Sequence, residues 1–169
     1  MDEARVGQKG RLCHRWWTRG RRPPGRCDQR YQWTYIFAAV EPATGAEVAL
    51  VLPEATTATM NLFLAELAAG LPGDVQAALV LDGAGWHVAR ALVVPPNITL
   101  VPLPPYSPEL NAIERLWQVM RDTLLSHRLF TDLNHIIEVC CTTWNAPLNQ
   151  SGRIRSTCGY AWAAPVKTS

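Results

Sequence analysis

The chain has 169 residues, 48% of them hydrophobic, and a formal net charge of +2. That length amounts to about one domain and that composition is ample for one core, which argues against a disordered chain. No apolar run approaches the length needed to cross a bilayer and no apolar leader opens the sequence, so neither a membrane protein nor a secreted one is expected, and the predicted location is cytoplasmic.

The charge is unevenly spread. Residues 1–30 hold nine of the sixteen Lys and Arg against three acids, so this basic N-terminal segment is +6 and the remainder is −4. Such a segment is either a solvated arm or a surface for phosphates. Arg19, Arg21 and Arg22, in the loop-forming stretch Arg19-Gly-Arg-Arg-Pro-Pro-Gly, are the candidate DNA contacts. Trp16 and Trp17 stand among arginines, and packing and base stacking are equally open to them.

Tyr31 to Val40 is rich in aromatic and β-branched residues and reads as a strand, with Glu47 to Leu52 as its antiparallel partner across a Pro42-Ala-Thr-Gly45 turn. Thr56 to Ala69 reads as a helix, capped by Thr56 or Thr57 and lined by Met60, Phe63, Leu64 and Leu67. Leu79 to Leu81 is a short apolar strand that ends in Asp82 and two glycines. A short helix over Trp86 to Val93 is expected next, then a strand from Ile98 to Leu103. Ser107-Pro108 predicts a helix start, with Leu110, Ile113, Leu116, Trp117, Met120 and Leu124 as its apolar stripe and Glu114 on the stripe's border. A last helix runs from Thr131-Asp-Leu-Asn toward Trp144. This order predicts a mixed α/β sheet flanked by helices.

Five cysteines (Cys13, Cys27, Cys140, Cys141, Cys158) contain no Cys-x-x-Cys pair. A zinc site from Cys13, His14 and Cys27 matches no standard spacing, and reduced, mostly buried thiols are the better account.

Asp82 ends a buried strand and Glu114 sits on the inner edge of a helix. Carboxylates so placed can converge on a metal at the end of a sheet. An aspartate before glycine is also a common turn former, and Glu109 competes with Glu114, although its place in the first helical turn suits the free N–H groups there.

Asp82-Gly-Ala-Gly-Trp-His87 and Pro104-Pro-Tyr-Ser-Pro-Glu-Leu-Asn-Ala-Ile-Glu114-Arg-Leu-Trp117 resemble the second and third acidic motifs of mariner-superfamily transposases. The nearer likeness is to the six-thirty family of bacterial insertion sequences. Asp2-Glu-Ala-Arg-Val-Gly-Gln-Lys-Gly-Arg resembles the first motif, and the likeness spans Asp2 to about Trp144. Two departures stand out: Ala112 replaces the family's usual proline, and the interval from Asp82 to Glu114 is a few residues short.

The resemblance implies one DDE endonuclease domain over residues 1–169, on a ribonuclease H-like fold, that cuts DNA at insertion-sequence ends and joins the freed 3′-hydroxyl to target DNA. It implies Asp2, Asp82 and Glu114 as catalytic acids holding two Mg²⁺ or Mn²⁺ ions, Asp2 bridging both, with His87 as an accessory. Transposon ends and target DNA are the implied partners, and a homodimer is compatible with them. The family has an apolar strand before its first aspartate, whereas only Met1 stands there in this sequence. The expectation is therefore an N-terminally truncated domain that lacks its first, central strand, with Asp2 unheld and the hairpin parted from the Asp82 strand. Asp28 is the weaker substitute acid. The alternative function is an inactive, vestigial fragment that only binds DNA.

Overall fold

The computed structural model describes residues 1–8, 16–21, 30–126, 128–148 and 152–160. Cys13, His14, Arg22, Cys27 and Asp28 lie outside these residues. A three-stranded antiparallel sheet has the order β1-β2-β3, with β1 at Asp2–Gly7, β2 at Trp33–Val40 and β3 at Glu47–Leu52. A second, two-stranded parallel sheet joins β4 (Ala77–Leu81) to β5 (Ile98–Pro102). The helices are α1 (Thr57–Gly70), α2 (Glu114–Met120), α3 (Leu133–Leu148) and α4 (Arg153–Cys158).

β2 is covered on both faces, which is why its sequence is almost continuously apolar. Ile36 and Ala38 point into a core built with Ile113, Leu116, Trp117, Met120, Ile136 and Trp144 from the α2 and α3 side. Phe37 and Ala39 point the other way, against Met60, Phe63 and Leu64 of α1 and Leu79, Leu81 and Ile98 of the parallel pair. Two-residue periodicity thus assigns alternate residues of one strand to two cores. The hairpin forms as expected. Gly45 takes φ +84° at its turn and its N–H donates to Glu41 O at 2.8 Å, a left-handed conformation that glycine adopts without strain. α1 starts at a capping box in which Thr56 and Thr59 side chains each accept from the other's backbone N–H, worth about 1 kcal/mol.

The structure corrects the sequence-based expectation at the first strand. A strand runs onward from Asp2 rather than ending there: Asp2 to Gly7 pairs in full with Ala38 to Trp33, so Asp2 is anchored by a ladder, against the expectation that it is unheld. It forms the edge of its sheet rather than the centre, and the hairpin and β4 do belong to separate sheets. The Met1 nitrogen reaches across the gap and donates to Val80 O at 2.8 Å, while Met1 O accepts from Asn111 Nδ2 at 3.0 Å.

Two helix boundaries also change. The stretch after Asp82 forms only a 3₁₀ turn at Gly85–His87 in place of a helix over Trp86 to Val93; Asn61 of α1 donates to Ala91 O at 3.1 Å and accepts from Val93 N–H at 2.9 Å, taking backbone groups that a helix would pair. Pro108 opens another 3₁₀ turn, Pro108–Leu110, and Asn111 then turns extended at ψ 107°, so the α-helix proper starts at Glu114. Ile113, Leu116, Trp117 and Met120 are buried as the stripe predicts, whereas Leu110 and Leu124 are only partly covered. α2 ends in a π turn at Arg121–Leu125. Asp132 Oδ1 accepts from His135 N–H at 2.9 Å and caps α3. No helix among the described residues is long and apolar enough to cross a membrane.

Candidate active site

Three elements deliver the acids. Asp2 opens β1, Asp82 follows the last residue of β4, and Glu114 is the first residue of α2. The parallel pair presents its carboxyl ends here, where strands of an α/β sheet commonly leave a crevice for ligands. Leu103 N–H donates to Leu81 O at 2.8 Å, so the segment leading to Glu114 leaves β5 directly beside the strand end that carries Asp82.

Alternation along β1 sends its two acids to opposite faces. Asp2 turns toward α2, where Trp117 Nε1–H donates to its Oδ2 at 3.0 Å. Burial pushes the Asp2 carboxyl up, from 3.8 to about 7; the backbone N–H of Glu3 opposes the shift, and the charges of Glu114, Glu3 and Asp82 add to it. Asp2 therefore lies within electrostatic reach of both of the other candidate acids.

Glu3 turns the other way, nearly buried, and accepts from Trp86 Nε1–H at 3.3 Å. His87, fully buried, sits between Glu3 and Asp82, with Nε2 2.8 Å from Glu3 Oε1 and Nδ1 2.9 Å from Asp82 Oδ1. Nδ1 also lies 3.1 Å from the Asp82 backbone oxygen. Burial works against the imidazolium, but the hydrogen bond and charge of Glu3 and the contacts with Asp82 outweigh it and raise the His87 pKa. Asp82 is 58% exposed, and the Ala84 N–H donates to its Oδ1 at 3.1 Å, so it is both a turn former and a solvent-facing acid. Glu114 is half-buried and Glu109 is exposed, which separates the two competing glutamates.

Asp2, Asp82 and Glu114 thus gather at one end of the fold, each engaged separately. Among the described residues no group of three His, Cys, Asp or Glu side chains stands close enough to hold an ion as arranged. The donor chemistry nonetheless fits a hard divalent cation: all three acids offer oxygen, and the Asp2 carboxyl, raised chiefly by burial and further by the charges of Glu114, Glu3 and Asp82, would be stabilised in its ionised form by a cation. Arg19 and Arg21 are exposed, as are Trp16 and Trp17, which turn to solvent rather than into either core. Arg22 lies outside the described residues. Cys140 and Cys158 are buried free thiols and Cys141 is an exposed one.

A family model described as DDE superfamily endonuclease matches residues 1–137. The chain belongs to the DDE superfamily endonuclease family. A relative of this DDE chain in Sinorhizobium fredii (strain NBRC 101917 / NGR234), the uncharacterized protein y4pE/y4sA, is 47% identical over 131 residues, covering 78% of this chain and 97% of the relative. Among solved structures, the Mos1 mariner paired-end complex with Mn superposes with a TM-score of 0.71 at 16% identity, over 93% of this chain and 50% of that one. The Mos1 strand transfer complex gives 0.67 at 15% identity, over 92% and 48%. The chain spans about half the length of those Mos1 chains. The likeness shows the fold of this DDE-family chain to be mixed α/β and ribonuclease H-like.

Sequence reasoning missed Glu3 and the partner that holds Asp2. Period-two alternation was the available signal for Glu3: in a strand that puts Val6 in one core, residue 3 must face the other, and a carboxylate there needs a partner. Trp117 was recognised as a core residue, but its indole N–H was not assigned an acceptor, which a buried tryptophan usually finds.

Proposed function

We propose that residues 1–169 form the catalytic domain of a bacterial DNA transposase, acting in the cytoplasm on insertion-sequence ends and target DNA. The observation that supports this most is the gathering of Asp2, Asp82 and Glu114 from β1, the end of β4 and the start of α2, in a chain of the DDE endonuclease family. These three acids would hold two Mg²⁺ or Mn²⁺ ions. Bound metal supplies charge neutralisation at the attacked phosphate and lowers the pKa of the attacking water or 3′-hydroxyl. The chain's own residues prepare the site. Trp117 restrains Asp2, His87 restrains Asp82 from the buried side, and the position of Glu114 is set by the Asn111 turn, whose carbonyl accepts from Glu114 N–H at 3.1 Å. Arg19, Arg21 and Arg22, with Trp16 and Trp17, would meet the DNA backbone and bases, and a homodimer would bring two ends together.

Incubation with labelled insertion-end DNA and Mg²⁺ or Mn²⁺ should give nicked product, and Asp82→Asn or Glu114→Gln should reduce the rate by about 100-fold or more, as expected when a metal-holding group is lost. Equal cutting by these variants would refute the assignment. A second reading, a vestigial fragment that binds DNA without cutting it, draws support from the separation of the two sheets and the separate engagement of the acids. DNA retention without metal-dependent cleavage would favour that reading.

A further inference from the structure

The Glu3–His87–Asp82 chain of contacts has a direction. Glu3 comes from β1 and His87 follows β4, so the contact spans the two sheets that the Met1–Val80 hydrogen bond also joins. Glu3 is nearly buried, a setting in which a carboxylate is costly unless paired, and its partners are His87 Nε2 at 2.8 Å and Trp86 Nε1–H at 3.3 Å. The opposite edge of the same imidazole faces Asp82. An aspartate 58% exposed would otherwise sample several rotamers, yet its Oδ1 is met by His87 Nδ1 at 2.9 Å and by Ala84 N–H at 3.1 Å. Both contacts fall on one oxygen, which leaves Oδ2 for a cation. Trp86 packs its ring edge-on to His87 at 5.8 Å and limits rotation of the imidazole.

We infer that Glu3 is a positioning residue: through His87 it orients the Asp82 carboxylate and so sets the affinity of the acid cluster for a divalent cation. This rests on the function proposed above. It assigns to the second acid of the chain a role different from that of its neighbour Asp2, which lies on the other face of β1 and contacts Trp117 instead. A partner that orients a metal-holding side chain typically changes metal affinity by about 10–100-fold when removed.

Thermal unfolding of the full chain at increasing MnCl₂ tests the inference, because an ion that binds only the folded state raises the melting temperature in proportion to its occupancy. The Mn²⁺ concentration giving half the shift should rise by about tenfold or more in Glu3→Ala. Glu3→Gln, whose amide N–H can donate to His87 Nε2 and so keep the ring proton on Nδ1 toward Asp82, should recover most of the loss. His87→Gln, which can still reach Glu3 but not Asp82, should behave like Glu3→Ala and serves if that variant does not fold. A Glu3 that merely staples the sheets would lower the melting temperature without metal and leave the Mn²⁺ midpoint within about twofold of the parent, which would overturn the inference. A parent with no Mn²⁺ shift would overturn the proposed metal site and this inference together; a shifting parent with unmoved variants would overturn this inference alone.

Discussion

Trp117 donates its indole N–H to Asp2 across 3.0 Å, joining the first residue of β1 to the core face of α2. Trp117 also tilts against Trp144 of α3 with ring centroids 5.7 Å apart, so the donor is held by packing. Trp117→Phe removes the donor and keeps most of the apolar surface. It should cost about 1.5–3 kcal/mol of stability when Asp2 is ionised, the range for hydrogen bonds to charged groups, and less when Asp2 is protonated. Denaturant unfolding at pH 8 and pH 4 should show this difference, and an equal loss at both would mean that packing alone is affected.

Asp2 sets a pH dependence with a definite sign. Its folded pKa of about 7 lies above the ordinary 3.8, so between those values the folded chain keeps a proton that the unfolded chain has released. Metal-free stability should therefore fall as pH rises from 4 to 7, by up to about 4 kcal/mol. His87 adds in the same direction, since its raised pKa gives stability that is present at low pH and lost as pH rises through the folded value. Asp2→Asn should flatten most of the slope. A slope unchanged in that variant, measured by thermal unfolding across this window, would place Asp2 in water.

The exposed arginines should govern how DNA binding responds to salt. Each phosphate contact contributes about 0.9 to the slope of log affinity against log salt on duplex DNA, so replacing Arg19, Arg21 and Arg22 by Ala should make the slope shallower by about 2–3. Fluorescence anisotropy at graded NaCl measures it. The same slope in parent and variant would make this segment a solvated loop.

Phe37 carries the contact between the sheets. It is fully buried, lies 6.0 Å from Phe63 by ring centroid, and shares a core with Met1, Leu79 and Leu81. Phe37→Ala should cost about 3–5 kcal/mol. Because that core also seats the Asp82 strand, hydrogen exchange should show β4 losing protection along with β2. Loss confined to β2 would mean that the two sheets unfold independently.

Local rules made much of this molecule legible before any coordinates. The hairpin, the Thr56 cap, both strands of the parallel pair and the buried face of α2 follow from alternation, capping chemistry and helical spacing, which act within a few residues. The motifs around Asp82 and Glu114 likewise pointed to an acid at a strand end and another on the inner edge of a helix. What failed were places where distant residues decide. Pro108 looks like a helix start, yet Asn111 is drawn out of helical geometry as its side chain reaches back to Met1 O, and only Glu114 onward is α-helical. Asp2 looked unheld because nothing near it in sequence restrains it; the ladder with β2 and the Trp117 indole, 115 residues away, do so. Glu3 looked like part of a basic arm, and only the approach of His87, 84 residues on, makes it a buried partner of Asp82. Sequence alone determined which carboxylates exist and which local elements carry them, because propensity and periodicity are short-range. Tertiary structure alone decided which face each acid takes and which donor restrains it, because burial and pairing across β1, β4 and α2 depend on how separate elements meet.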